Sequence, residues 1–109
     1  MVIRLPISPA ALFVRPQYSH FLKAELCHFN RYGKKVVVAE IGLSWNEPSA
    51  SKSMLDDMFK RVKALGNNGI GIFYWEPQAS PGWNHYQWGA LDNSGKFTAA
   101  MESFKTTEE

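Results

Sequence analysis

Two glutamates stand where acids are costly to place. Glu40 closes the run Val36-Val37-Val38-Ala39, and Glu76 follows Ile72-Phe73-Tyr74-Trp75. Both runs are apolar and rich in β-branched or aromatic residues, which reads as two buried strands. A carboxylate at the tip of such a strand is kept there by an ion pair, by hydrogen bonds or by a task. Each acid is followed by residues that turn the chain, Ile41-Gly42 in one case and Pro77 in the other. Two carboxyl groups are the equipment of glycosidic cleavage, one as proton donor and the other as nucleophile or base. Trp75 adds a flat apolar face for the C–H groups of a pyranose, with an indole N–H at its edge.

Structural readings stand beside the chemical ones. Glu40 either works on a substrate or caps a neighbouring backbone or pairs with a lysine. Glu76 either orients the nucleophile or binds a hydroxyl, or it holds its loop through local amides. Trp75 is a sugar platform or core filler, with the platform favoured by its place beside Glu76. Tyr74, by alternation along the strand, points opposite to Trp75 and packs against a helix. Trp83 and Trp88 lie in the long loop EPQASPGWNHYQWGALDNSGK, and Trp45 lies five residues past Glu40. All three are candidates for sugar contact, because aromatic side chains on loops mark binding surfaces as well as loop packing. His85 has no His or Cys partner at ligand spacing, so a solvated or hydrogen-bonded role is expected. Met54, Met58 and Met101 read as helix-face packing.

These residues need elements to position them. Tyr18, Phe21, Leu22, Leu26, Phe29 and Tyr32 recur at three- and four-residue steps, which predicts an amphipathic helix stopped by Gly33. His20, His28 and Cys27 fall on it. The first strand, Val36–Glu40, leads through SWNEPSASK, with Pro48 as a breaker, to a helix over SMLDDMFKRVKALG. Ser53 is its expected cap, Asp56 and Asp57 its first-turn acids, and Leu55, Met58, Phe59, Val62 and Leu65 its apolar face. The second strand, Ile70–Trp75, follows Gly66 and NNG. Asp92-Asn93-Ser94-Gly95 predicts a turn, FTAAMESF a short final helix, and TTEE a frayed end. Strands alternating with helices imply parallel pairing by right-handed crossovers. The carboxyl ends of such strands are where barrel enzymes build their sites.

The 109 residues suffice for one small domain. A net charge of +2 with interspersed signs offers no basic stripe for nucleic acid, and one cysteine excludes a disulfide framework. No run is long enough to span a bilayer. The start, MVIRLPISPAALFV, is broken by two prolines and does not read as a signal peptide. Two strands cannot cover both faces of a parallel sheet, so the chain reads as part of something larger.

RYGKKVVVAEIGLSW, GIGIFYWEPQ and GALDNSGKFTAAMESF, in that order, resemble the last quarter of glycoside hydrolase family 53, the arabinogalactan endo-β-1,4-galactanases. The resemblance runs over roughly residues 30 to 105 and leaves residues 1–17 as an irregular, unmatched segment. It implies an α/β fold, the C-terminal part of a (β/α)8 TIM barrel over residues 18–109, with strands seven and eight and their flanking helices. It implies Glu40 as the nucleophile of a retaining enzyme, with Trp75, Glu76, Trp45, Trp83 and Trp88 toward the galactan. The family's proton donor, a Glu after Asn on strand four, has no counterpart segment here, so the chain alone is expected to be inactive. A barrel needs about 250 residues. Certain bacterial members hold calcium in an acidic, His-containing loop after strand seven; here that loop offers only Glu47, so no metal is expected, and the implied hydrolysis needs no cofactor. The alternative to the enzyme is a non-catalytic glycan-binding or assembly piece whose unpaired strand edges pair with another copy or with a missing barrel half. The family is usually secreted, and no leader is evident in this sequence.

Overall fold

The computed structural model describes residues 2–4, 33 and 35–105, with residues 2–4 and 39 described by backbone alone. The chain divides into two units, one of residues 1–41 and 58–74, the other of residues 42–57 and 75–109.

The first unit is built on a parallel sheet of three strands in the order β1 (Val2–Arg4), β2 (Val36–Ile41) and β3 (Gly69–Tyr74). The α/β class and the parallel pairing match the sequence reading. The central strand β2 buries Val36, Val38 and Ile41 completely or nearly so. Branched Cβ atoms suit a pleated surface with neighbours on both sides. β1 falls within residues 1–17, which the sequence reads as extended or irregular. Three residues ahead of Pro6 are too few to show a period. β3 corrects an expectation, because it is not a buried strand. It lies at the edge of the sheet, with Ile70 56% and Phe73 64% exposed. Trp75, expected to end this strand, lies just beyond it.

Helix α1 (Pro48–Ala64) runs through both units. It begins a turn and a half earlier than expected, and Pro48 opens it instead of breaking the chain. Proline suits the first helical position, where its fixed φ is already helical and its missing N–H has no partner to lose. The Glu47 carbonyl accepts the Ser51 N–H at 3.0 Å to close that first turn. Asp56 and Asp57 therefore sit in mid-helix and not in the first turn. Ser51, Leu55, Met58 and Val62 make the buried stripe, spaced by four, three and four residues. Just past the helix, Gly66 adopts a left-handed φ of 60°, as a glycine stop requires. Within the first unit, a Cβ on Gly69 would run into the Val62 carbonyl, so the start of β3 is pressed against the end of α1.

The second unit holds the first part of α1 and the segment after β3. Its Asp92 turn forms as expected. Asp92 Oδ1 accepts the Ser94 N–H at 2.8 Å, the Ser94 hydroxyl at 2.6 Å and the Lys96 N–H at 3.1 Å. These bonds close a turn whose flanks pair at Leu91 and Phe97. The final helix is a 3-10 helix over Ala99–Phe104, tied to α1 by the Ser103 hydroxyl on the Lys52 carbonyl at 3.2 Å. The amphipathic helix expected over residues 18–32, with His20, Cys27 and His28, lies outside the described residues.

Candidate functional site

Glu40 is the last residue but one of β2, and the pairing on either side of it is irregular. Toward β1, Ile3 pairs with Val38 and Arg4 with Glu40, which skips Ala39. Toward β3, Val38 pairs with Ile72 and Ile41 with Tyr74, so two residues of β2 face one of β3. Both neighbours report an extra residue at the same place. Bulges are rare between parallel strands and recur beside active sites, where they re-aim a side chain.

The consequence can be followed in the burial of β2. Strict alternation would put Val36, Val38 and Glu40 on one face. Instead Val36, Val38 and Ile41 are buried, while Glu40 is half-buried. The extra residue shifts the phase by one, gives the core Ile41 and spares the core a carboxylate. A glutamate follows a valine-rich strand because the strand changes face before reaching it.

The two strands also end in step. Ile41 is the partner of Tyr74, so Glu40 and the chain entering Trp75-Glu76 leave the sheet at its same, carboxyl, end. Glu76 follows directly with φ 48°, a left-handed conformation that costs a residue with a Cβ about 1 kcal/mol. Its carbonyl accepts the Ala79 N–H at 3.1 Å, turning the chain at once.

The remaining aromatic candidates all lie in the second unit. The loop over residues 77–90 is closed at its base by the Ala90 N–H on the Pro77 carbonyl at 2.8 Å, and Gly89 lies so close to the Ala79 carbonyl that no Cβ would fit. At its tip, Gly82, Asn84 and His85 have positive φ values of 81°, 50° and 64°, holding Trp83 54% exposed. Trp75 is 48% exposed. Two residues that the sequence reading passed over connect the others. The Tyr86 hydroxyl donates to the Trp75 carbonyl at 2.9 Å, and its ring meets Trp88 edge-to-face at 5.4 Å. Gln87 accepts from Trp45 twice, at its carbonyl from the main-chain N–H at 3.0 Å and at Oε1 from the indole N–H at 3.1 Å. No spacing rule points to a polar pair 42 residues apart.

An Asn-Glu dipeptide, the pattern sought for a proton donor, does occur as Asn46-Glu47. It belongs to the turn before α1 and not to a strand end. Asn46 Oδ1 accepts the Ser44 hydroxyl at 2.7 Å, and the Glu47 carbonyl serves the helix. Among the described residues, no group of three or more His, Cys, Asp or Glu is placed to hold a metal ion. No helix among them is long and apolar enough to cross a membrane.

The sequence model described as Glycosyl hydrolase family 53 matches residues 46–104, more than half of the chain. The matched range includes Trp75, Glu76, Trp83 and Trp88, and it begins after Glu40 and Trp45. No curated protein matches the chain.

Proposed function

Because the chain belongs to glycosyl hydrolase family 53, we propose that it is a C-terminal part of a retaining endo-β-1,4-galactanase in which Glu40 is the nucleophile. The observation that carries this reading is the bulge in β2. It frees Glu40 from the core at the carboxyl end of a parallel sheet, the end where barrel enzymes of parallel strands act. In that reading β2 and β3 are strands seven and eight of a (β/α)8 barrel, and β1 occupies the place of strand six beside β2.

The reaction would be hydrolysis of internal β-1,4-galactosidic bonds in galactan or arabinogalactan by double displacement. A Glu40 carboxylate oxygen attacks the anomeric carbon and forms a glycosyl ester. The bond to the leaving oxygen breaks, and that oxygen receives a proton from a general acid. Water then attacks the same carbon and releases Glu40. No strand-end glutamate after asparagine supplies that acid among the described residues, so the chain alone turns over little galactan. Trp75 would support the sugar ring at the scissile bond, Glu76 would hold a hydroxyl, and Trp45, Trp83 and Trp88 would extend the contact along the polymer.

A nucleophile without its acid can still be tested. A 2,4-dinitrophenyl 2-deoxy-2-fluoro-β-galactobioside carries a leaving group that departs without protonation. Incubated with the 109-residue chain, it should leave one glycosyl adduct, mapped by peptide mass spectrometry to Glu40 and absent from Glu40→Gln. Labelling at another residue, or equal labelling of Glu40→Gln, would overturn the assignment.

The second reading is a glycan-binding or assembly piece with no catalysis of its own. The exposed Ile70 and Phe73 on the edge strand favour it, since an apolar edge invites a further strand.

A further inference from the structure

Gln87 and Trp45 are joined at two points. Backbone and side-chain bonds between one pair of residues fix both the position of the Trp45 main chain and the rotation of its ring. The indole N–H is then already spent on Gln87 Oε1. An indole so engaged can offer a ligand its face but not its donor. Gln87 itself is set by the closed loop around it, where the Tyr86 carbonyl accepts the Gly82 N–H at 3.1 Å and the Tyr86 hydroxyl holds the Trp75 carbonyl.

We propose that Gln87 is a positioning residue that turns the ring of Trp45 into a fixed, donor-free shelf selecting galacto-configured over gluco-configured sugar rings. The proposal rests on the galactanase reading above and names a selecting element within it. In a β-galactopyranose the axial 4-hydroxyl lies on one face and leaves the hydrogens on C3, C4 and C5 together on the other. In the gluco epimer the hydrogens alternate between the faces, and neither face has that contiguous apolar patch. An aromatic face without an accessible N–H rewards the first arrangement and has no hydrogen bond with which to compensate the second. Because the ring is held before the ligand arrives, less rotamer freedom is lost on binding.

The test uses calorimetric titration of the 109-residue chain with β-1,4-galactotetraose and with cellotetraose, alongside the indole N–H signals in an amide correlation spectrum. The Trp45 signal is assigned with Trp45→Phe. Gln87→Met keeps the length of the side chain but removes the acceptor. It should weaken galactotetraose binding about fivefold, the worth of one ordinary hydrogen bond, and shift the Trp45 indole signal alone. Gln87→Glu keeps an acceptor oxygen and should restore most of the lost affinity. A Gln87→Met chain that binds galactotetraose as tightly as the parent overturns the proposal and leaves the galactanase reading standing. So does an equal loss in Gln87→Glu, or a parent chain that binds both sugars alike. Failure of the parent chain to bind either sugar removes the galactanase reading and this proposal together.

Discussion

Asp92 shows how much one side chain can organise. Its carboxylate is held below the ordinary range, first by the Ser94 hydroxyl and then by the Lys96 and Ser94 amides. A carboxylate depressed in the folded state contributes stability above its unfolded pKa, and that contribution is lost as pH falls through the folded value. Asp92→Ala should therefore lower the melting temperature by a few degrees at neutral pH. The difference from the parent should vanish in acid below the ordinary carboxylate range, as paired melting curves across pH would record. A gap that persisted in strong acid would mean that the turn is held by something else. This turn was legible in the sequence because Asx chemistry is local and Gly95, at φ 77°, supplies the left-handed position. Gln87 and Tyr86 were not legible for the converse reason. Their partners Trp45 and Trp75 lie 42 and 11 residues away, and no short-range pattern encodes such pairings.

Among the elements, β2 carries the most consequential irregularity. Deleting Ala39 would remove the extra residue and restore strict alternation, with Ile41 still in the buried phase of Val36 and Val38 and Glu40 in the opposite one. Urea unfolding of the deletion variant should therefore show little loss of stability, and a large loss would mean that Ile41 does not keep its buried phase. In α1, Leu55 is fully buried, and Leu55→Ala should cost about 2–5 kcal/mol by the same measurement. Gly69→Ala would force the Val62 carbonyl aside, and overpacking of that kind costs about 1–3 kcal/mol. The apolar stripe of α1 was readable because its period is the helix's own. Pro48 was not, since the same residue ends one structure and begins another, and only the residues after it decide which. The bulge was equally hidden. Valine, alanine and glutamate carry no mark of an extra residue, and the shift arises only from what β1 and β3 pair with.

For the molecule as a whole, the open question of the sequence was what covers two apolar strands. β1 answers it on one side of β2, and β3 leaves the other side of the sheet at an exposed edge. Apolarity in a sequence reports what a strand is suited to bury, not what buries it, which is why Ile70 and Phe73 read as core. An edge of this kind recruits neighbours unless a charge interrupts it. The chain should elute from gel filtration with a size that grows with concentration, and Phe73→Lys should return it toward the volume of a single copy. A parent chain that stays monomeric across the range would argue against the incomplete-barrel reading.

The hydrogen bond that joins Ala90 to Pro77 gives the intervening dozen residues the character of a cassette. Its stem is fixed, so its crown is free to vary. Lengthening such a segment twofold adds only about 0.6 kcal/mol of closure entropy. Residues inserted between Gly82 and His85 would change how far Trp83 reaches while sparing the carboxyl ends of the strands. In the proposed galactanase, reach along the polymer and chemistry at its scissile bond would thus lie on separate parts of the chain, each able to change without the other.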